Sequence, residues 1–348
     1  MISLLLACSV EDQLSSAVGS DVAATDSMTE VAFVLGLKQG ERDARVVELN
    51  AEHEVIRSIE MSAVIGERWG SQMPPPLLMD VQPLEGHRYL VAVQQLGLYE
   101  FDRDGNILWQ HEDPTVGHDV DRLANGNTLY ARPWAAQGEV AVVEVNPAGE
   151  EVWTWRGETF ETNPEWDGYI DEGGAWLHVN SVQRLEDGTT SICVRNLNTV
   201  VVARANGEVA RNISFASAPD SPGPVTEGNL LGHRPHGAEW VPNRGFHVAL
   251  RGPDRAVGIA NGKLAYQYRE PNFTSISDVD ALENGETLLV AHGSVRHVDA
   301  AGELIWDWTE PLEVLPAMDG AEDIRPRTRQ AFYNITKVAA DGSPLDYD

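Results

Sequence analysis

Apolar and polar residues alternate along short segments of this chain, and turns rich in Asn, Asp and Gly separate the segments. The clearest case is residues 117–132, GHDVDRLANGNTLYAR. An Asn-Gly pair between two alternating runs is the strongest short-range signal for a β-hairpin. The segment therefore predicts a strand, a tight turn and a returning strand.

This pattern recurs along the chain. In each copy, apolar residues follow two and five places after an opening residue, and the turn comes next. The opening positions are Met79, His118, Asn180, His236, Ser277 and Tyr333. A second strand pair follows the hairpin, as in VAVVEVNPAGEEVWTW at residues 140–155. Four strands in each unit, at a period of about forty residues, are typical of β-propeller blades. The sequence therefore predicts an all-β, six-bladed propeller with four-stranded antiparallel blades.

The two ends of the chain are predicted to complete one blade together. Residues 31–62 hold three strands but lack the opening one, and residues 331–341 supply a strand with the opening pattern. Such a closure removes the exposed sheet edges that an open array would leave. The other five blades are predicted at 78–112, 118–156, 178–214, 236–270 and 277–310.

Aromatic residues divide into two groups. Five tryptophans follow a glycine near the end of a repeat and are predicted to pack blade against blade in the outer strands: Trp109, Trp153, Trp155, Trp306 and Trp308. Long inserts at residues 157–176, 216–234 and 311–330 are expected on the face where the opening residues emerge. Trp166, Tyr169 and Trp176 in the first insert either wall a pocket for a flat apolar ligand or cover the edge of blade three.

The charge and the N-terminus bear on location. A net charge of −29 with lysine only at positions 38, 263 and 337 argues against binding to nucleic acid or to an anionic membrane surface.

Leu5-Leu6-Ala7-Cys8 fits a bacterial lipobox, so we expect residues 1–8 to be the remnant of a lipoprotein signal whose start lies further upstream. Residues 9–28 are then a flexible acidic tether and residues 29–348 the propeller. This predicts a protein held in the bacterial cell envelope by a lipid at Cys8, on the periplasmic face or at the cell surface. Cys193 is left without a disulfide partner.

Three histidines are predicted to converge. In a propeller the first strand of each blade lines the axis, so the opening positions face one another. His118 and His236 are opening residues, and His178 precedes Asn180 by two places, which points it the same way along a strand.

A set of basic residues stands close to these histidines on the returning strands. Twelve or thirteen places after the first apolar position of their repeats come Arg132, Arg195, Arg251 and His292. Guanidinium groups bind sulfate, phosphate or carboxylate oxygens in a bidentate fashion. The sequence therefore predicts an anion-binding pocket at the channel mouth, where Arg132, Arg251, His292 and Asn180 bind the substrate.

Three segments resemble one known family. HDVDRLANGNTLY at 118–130, LHVNSVQRLEDGTTSICVRNLNTVV at 177–201 and HGAEWV at 236–241 resemble the bacterial arylsulfotransferases, which are periplasmic six-bladed propellers. The resemblance implies that His236 carries the sulfuryl group covalently, with His118, His178 and Arg195 as the other catalytic residues. His233 is a rival for the nucleophile. The larger family members also have an N-terminal sandwich domain and a disulfide near the active site, and from the sequence we expect neither in this chain.

The expected reaction is sulfuryl transfer from an aryl sulfate to a phenol, with no cofactor or nucleotide donor. His236 would attack sulfur, the arginines would neutralise the sulfuryl oxygens, and His118 or His178 would protonate the leaving phenolate. Two alternatives remain open. The histidines could hold a metal ion in a propeller hydrolase or lyase, although the surrounding arginines and the lack of a carboxylate among the opening residues argue against it. The propeller could also be a non-catalytic lipoprotein that binds an anionic ligand or a partner protein.

Overall fold

The inner strands of six small sheets surround one central channel. The computed structural model describes residues 31–37, 44–66, 77–157, 175–215, 234–251, 254–269, 275–282, 284–291, 294–309 and 332–345. These residues form six four-stranded antiparallel sheets. The predicted lipobox and tether, at residues 1–28, lie outside them. The described part of the chain contains no helix with the length and apolar character needed to cross a membrane.

Each sheet is one propeller blade, with its first strand at the channel and its fourth at the outer edge. Blade 1 consists of β24 (Phe332–Lys337), β1 (Phe33–Leu37), β2 (Arg45–Leu49) and β3 (Val55–Glu60). Blade 2 consists of β4 (Leu78–Leu84), β5 (Arg88–Val93), β6 (Gly97–Asp102) and β7 (Ile107–Glu112). Blade 3 consists of β8 (Val120–Arg122), β9 (Thr128–Ala131), β10 (Val142–Val145) and β11 (Glu151–Trp155). A one-turn helix, α1 (Met61–Ile65), follows β3.

The remaining blades continue around the ring. Blade 4 consists of β12 (Val179–Arg184), β13 (Thr190–Val194), β14 (Thr199–Ala203) and β15 (Val209–Ser214). Blade 5 consists of β16 (Pro235–Val241), β17 (Gly245–Leu250), β18 (Arg255–Ala260) and β19 (Lys263–Tyr268). Blade 6 consists of β20 (Asp278–Ala281), β21 (Thr287–Ala291), β22 (Ser294–Val298) and β23 (Leu304–Thr309). The predicted fold and the six blades are confirmed.

The predicted closure of blade 1 is confirmed too. Strand β24 from the C-terminal region pairs antiparallel with β1, with Val34 opposite Thr336 and Leu35 opposite Ile335. Buried apolar side chains of the described residues form six clusters, and each cluster combines residues of two neighbouring blades. The apolar core is therefore a set of interfaces between blades, which the hydrophobic effect holds face to face.

The tryptophans of the outer strands extend these interfaces. The indole nitrogen of Trp109 donates to the Pro147 carbonyl of blade 3 at 3.0 Å, and that of Trp153 donates to the Ala205 carbonyl of blade 4 at 2.9 Å. Blade-to-blade packing by these residues is confirmed. Trp176 is 7% exposed and packs in the core between blades 3 and 4. It therefore covers the edge of blade three and does not wall a pocket, while Trp166 and Tyr169 lie outside the described residues.

Side chains of one inner strand bind the backbone of the next inner strand. One place after the opening residue, Asp80 accepts a hydrogen bond from the Val120 amide at 3.0 Å and Ser181 accepts one from the Ala238 amide at 2.9 Å. Asp119 accepts one from the amide of Val182. Because an inner strand pairs on one edge only, the amides of its other edge need such acceptors.

The same contact recurs two places further along the inner strands. The acceptors there are Gln82, Gln183 and Glu239, which bind the amides of Arg122, Trp240 and Ala281 at 2.6, 2.7 and 2.7 Å. We call the contacts of Asp80, Gln82, Asp119, Ser181, Gln183 and Glu239 the interblade clasp. The clasp sets the register of neighbouring blades around the channel.

Removal of one clasp residue is expected to destabilise the propeller. In a Ser181→Ala variant the buried Ala238 amide loses its acceptor, which costs about 1–3 kcal/mol of the free energy of unfolding. Urea unfolding monitored by fluorescence measures this change. Ser58→Ala, an exposed serine on β3, is the matched control and should change the stability by less than about 0.5 kcal/mol. Equal stability of the two variants would show that the clasp contributes nothing.

Candidate active site

A polar cavity opens at one mouth of the channel. It has a volume of about 490 Å³, including the part open to solvent. Its walls come from the inner strands of all six blades, and the opening residues His118, Asn180, His236 and Ser277 belong to it. Four of the six predicted opening positions therefore converge on the channel, whereas Met79 packs in the apolar core between blades 2 and 3 and the side chain of Tyr333 lies outside the described part of the chain.

The three histidines come together at this mouth. Nε2 of His118 lies 3.1 Å from Nε2 of His178, and the centroid of the His118 ring lies 5.7 Å from that of His236. Each of the three is at most 7% exposed. Two imidazole nitrogens at hydrogen-bond distance require that one donates and the other accepts, so His118 and His178 share a proton between them.

The backbone is strained where the histidines enter. His118 and His178 have positive φ angles of 70° and 49°. Left-handed backbone costs a residue with a Cβ about 1–2 kcal/mol. Arg234 and Ser275, which precede the opening residues of blades 5 and 6 by two places as His178 does in blade 4, have φ angles of 58° and 57°. This turn leads the chain into the inner strand and brings the His178 ring to the channel mouth.

The environment of His236 determines its protonation. Its Nδ1 lies 2.8 Å from the backbone carbonyl oxygen of Ser277, and since a carbonyl only accepts, Nδ1 carries the proton. Burial, followed by the positive charges of Arg251 and Arg195, lowers the pKa of His236 well below its ordinary value of 6.5. The ring is therefore neutral near pH 7, and its Nε2 carries a lone pair.

Two of the predicted arginines join the histidines. Nη1 of Arg195 lies 2.9 Å from Nε2 and 3.1 Å from Nδ1 of His178, and the Arg195 amide donates to the His178 carbonyl at 3.2 Å. Arg251 has the equivalent position in blade 5, where its amide donates to the Arg234 carbonyl at 3.1 Å. Both guanidinium groups act electrostatically on His236.

Arg132 does not belong to this group, which corrects the sequence-based assignment. Its Nε donates to Asp113 at 2.8 Å and its Nη2 to Glu151 at 2.9 Å, so it is committed to two carboxylates. The physical reason is the spacing. Arg132 comes twelve places after the first apolar residue of its repeat, whereas Arg195 and Arg251 come thirteen places after theirs. A shift of one residue turns a strand side chain to the opposite face of the sheet.

Asn180 lies in the cavity wall as expected. It is 2% exposed, and its side-chain nitrogen donates to the Pro235 carbonyl at 3.2 Å. Its side-chain oxygen has no hydrogen-bond partner among the described residues. A buried acceptor of this kind suits a hydroxyl donor in the cavity.

Other residues singled out in the sequence do not join this site. His292, His233 and Cys8 lie outside the described residues. Cys193 is a buried free thiol, and burial raises its pKa.

Sequence reasoning missed a ring of carboxylates in the same cavity. The opening residues include none, but the positions one place further along carry Asp80, Asp119 and Asp278. Burial, and then repulsion from Asp119, raise the pKa of Asp80 well above its ordinary value. Comparing the residue directly after each opening position across the repeats is the signal that would have found them. In the described part of the chain no three His, Cys, Asp or Glu side chains are arranged to hold a metal ion.

Sequence reasoning also missed Trp134. Its indole ring lies beside the rings of His118 and His178, with centroid distances of 5.4 Å and 6.4 Å. Four residues of the sequence, ARPW at 131–134, place this side chain directly after the strand that leads to the mouth. The histidine pair thus has an aromatic neighbour from the loop of blade 3.

Comparison with known proteins supports the fold and leaves the activity open. No family model matches the sequence, and no curated protein is significantly similar to it. Among solved structures, a protein of unknown function from Bacteroides caccae is 14% identical with a TM-score of 0.60, covering 89% of this chain and 99% of that one. A streptogramin B lyase is 8% identical with a TM-score of 0.47, covering 82% and 85%. At 14% identity the likeness to the Bacteroides caccae protein shows a shared fold alone.

The protonation of His236 can be observed directly. In ¹⁵N-histidine NMR spectra we expect one ring to remain neutral with its proton on Nδ1 between about pH 8 and about pH 5, because the folded pKa is well below 6.5. The His236→Asn variant assigns the signal by its loss. A His236 signal that titrates near 6.5, or that shows the proton on Nε2, would contradict the inferred tautomer.

Proposed function

We propose that this protein transfers a sulfuryl group from an aryl sulfate to a phenol through a covalent intermediate on His236. The observation that carries the proposal is the state of His236: the ring is neutral, and the Ser277 carbonyl binds its Nδ1 proton. Nε2 is then a nucleophile in the cavity wall, within the electrostatic field of the guanidinium groups of Arg251 and Arg195. The assignment agrees with the arylsulfotransferases that the sequence resembles.

The first half-reaction breaks the bond between sulfur and the phenolic oxygen and forms one between sulfur and Nε2 of His236. Attack through Nε2 leaves positive charge on the ring, and the Ser277 carbonyl, 2.8 Å from Nδ1, stabilises it. Splitting the transfer into two steps lets one site serve donor and acceptor in turn. The second half-reaction returns the sulfuryl group to a phenol and regenerates neutral His236.

Arg195 and Arg251 supply the positive charge that the sulfuryl oxygens require. Their charges already act on His236, so an anion bound next to that ring lies within their field. Preorganised donors of this kind stabilise charge in the transition state without reorganisation. The same charges keep His236 unprotonated, which preserves the nucleophile.

The proton shared by His118 and His178 serves the leaving group. Their Nε2 atoms are 3.1 Å apart, and because Nη1 of Arg195 can only donate and lies 2.9 Å from Nε2 of His178, that nitrogen accepts and Nε2 of His118 donates. With one of its rings in the imidazolium form, the pair gives a proton to the departing phenolate and becomes neutral, and it takes a proton back from the incoming phenol. A phenol has a pKa of about 10 and needs only modest acid assistance to leave. The free side-chain oxygen of Asn180 is suited to accept the hydroxyl of the acceptor.

Two competing functions remain testable beside this proposal. A non-catalytic anion-binding protein needs the guanidinium groups but not a nucleophilic imidazole beside an imidazole pair. A metal-dependent hydrolase or lyase needs a set of ligands, and among the described residues no three His, Cys, Asp or Glu side chains are arranged to provide one. Metal analysis of the purified protein tests this alternative.

A lipid at Cys8 and a location in the bacterial cell envelope are also part of the proposal.

The primary test uses 4-nitrophenyl sulfate with a phenol acceptor. We expect release of nitrophenol with ping-pong kinetics, and His236→Asn should abolish it while the melting temperature stays close to that of the parent chain. His87→Asn is the matched control: His87 lies in a turn with φ 54°, which Asn tolerates, and the variant should keep full activity. Full turnover by His236→Asn would show that His236 is not the nucleophile, and sulfate binding without any transfer would favour the non-catalytic alternative.

Arg195 is expected to act mainly on the chemical step. Replacement by Met should lower kcat by about 10²–10³, the range seen when one preorganised donor to a transition state is removed. Pre-steady-state release of nitrophenol separates this step from substrate binding. An effect on KM alone would assign Arg195 to binding of the ground state.

A further inference from the structure

Trp134 occupies a turn beside His118, which lines the cavity. The Ala135 amide donates to the Arg132 carbonyl at 3.2 Å, so residues 132–135 form a β-turn. Pro133 takes its second position, where the fixed φ of proline fits. Trp134 follows in the third position, so the turn fixes where its indole can lie.

Two contacts anchor this turn to the rest of the propeller. The ion pairs of Arg132 with Asp113 and Glu151 hold its first residue. The carbonyl of Ala135 accepts a hydrogen bond from the Trp176 amide at 3.0 Å. Trp176 lies two residues before His178, so the turn and the His178 loop are fixed to each other.

A glycine lets the indole lie close to His118. A Cβ built on Gly117 would lie 2.7 Å from the Trp134 ring, which is closer than real contacts allow. Any side chain at position 117 would therefore push the indole away from His118. The turn, its anchors and Gly117 together hold Trp134 against the histidine pair before any ligand binds.

Despite these contacts, the indole is 37% exposed. The other exposed large apolar side chains of the described residues are aliphatic: Val55, Ile107, Leu108, Val152, Leu304, Ile305 and Leu345. Most of those lie on the outermost strands, far along each sheet from the channel. A partly exposed aromatic ring beside the proton-sharing histidines is thus a distinct feature of the mouth.

We propose that Trp134 is the aryl-binding platform of this site, on which the planar ring of the donor and then of the acceptor stacks. The inference rests on the proposed function, and it makes Trp134 the residue that selects aryl over alkyl substrates. Aromatic pairs gain stability beyond their buried area when they stack with an offset or edge to face. Because the indole is already fixed, little conformational entropy is lost when the ligand binds. The stacked ring carries its oxygen next to His118 and His178, where the proton is exchanged.

Ligand binding to a variant that cannot catalyse the transfer tests this inference separately from the proposed reaction. In the His236→Asn background, isothermal titration calorimetry compares the binding of 4-nitrophenyl sulfate, which has an aromatic ring, with that of cyclohexyl sulfate, which has a saturated ring. Adding Trp134→Leu should weaken binding of the aryl sulfate by about 3- to 10-fold and change that of cyclohexyl sulfate by less than about twofold. Trp134→Phe keeps an aromatic ring and should restore most of the aryl preference.

Trp153→Leu, on the outer strand of the same blade, is the matched control and should leave both affinities unchanged. An unaltered aryl preference in Trp134→Leu, or an equal loss for both sulfates, would overturn the inference, as would failure of both sulfates to bind the parent variant. In the otherwise unaltered chain, Trp134→Leu should raise KM for aryl substrates more than it lowers kcat. If Trp134→Leu loses the aryl preference but the unaltered protein catalyses no sulfuryl transfer, Trp134 is still the aryl-binding platform and the proposed function is refuted.

Discussion

The interblade clasp is the constraint on which the rest of this structure depends. An inner strand is paired on one edge, and the amides of its other edge face the neighbouring blade. Buried amides without acceptors are costly, and side chains such as Asp80 and Ser181 satisfy them. The clasp also aligns the site, because the residues that bind the next blade follow directly on the opening positions. Asp119, next to His118, binds the amide of Val182 in the blade that carries His178.

Charges of opposite sign lie close together in this site. The guanidinium groups of Arg251 and Arg195 act on His236, whereas the cavity wall contains the clasp carboxylates Asp80 and Asp119 and the carboxylate of Asp278. An anion is attracted to the first group and repelled by the second. Burial, and then repulsion from Asp119, raises the pKa of Asp80. In a protein of net charge −29, the local arrangement and not the total charge therefore sets the potential at His236.

The repeat made the blades and their closure predictable, since Asn-Gly turns and strand alternation are local signals. The convergence of His118 and His236 followed from the fold once those positions were aligned. Arg132 was misassigned because a spacing of twelve and one of thirteen look alike in sequence but place side chains on opposite faces of a sheet. Trp134 was missed for another reason: its position depends on a turn held by Arg132 and on the absence of a side chain at Gly117, and such contacts have no periodic signature.

The junction between blades 5 and 6 shows how packing and chemistry are joined. The first clasp position there is Gly237, where a Cβ would lie 2.5 Å from the carboxylate of Asp278, so no side chain at this position can bridge the two strands. Next to it the link is made by Nδ1 of His236 and the Ser277 carbonyl, and two places further along Glu239 binds the Ala281 amide. The His236 hydrogen bond connects the blades and fixes the tautomer that leaves Nε2 unprotonated. A larger residue at Gly237 would therefore disturb His236 and the interface together, so that at this junction the packing of the blades sets the geometry of the site.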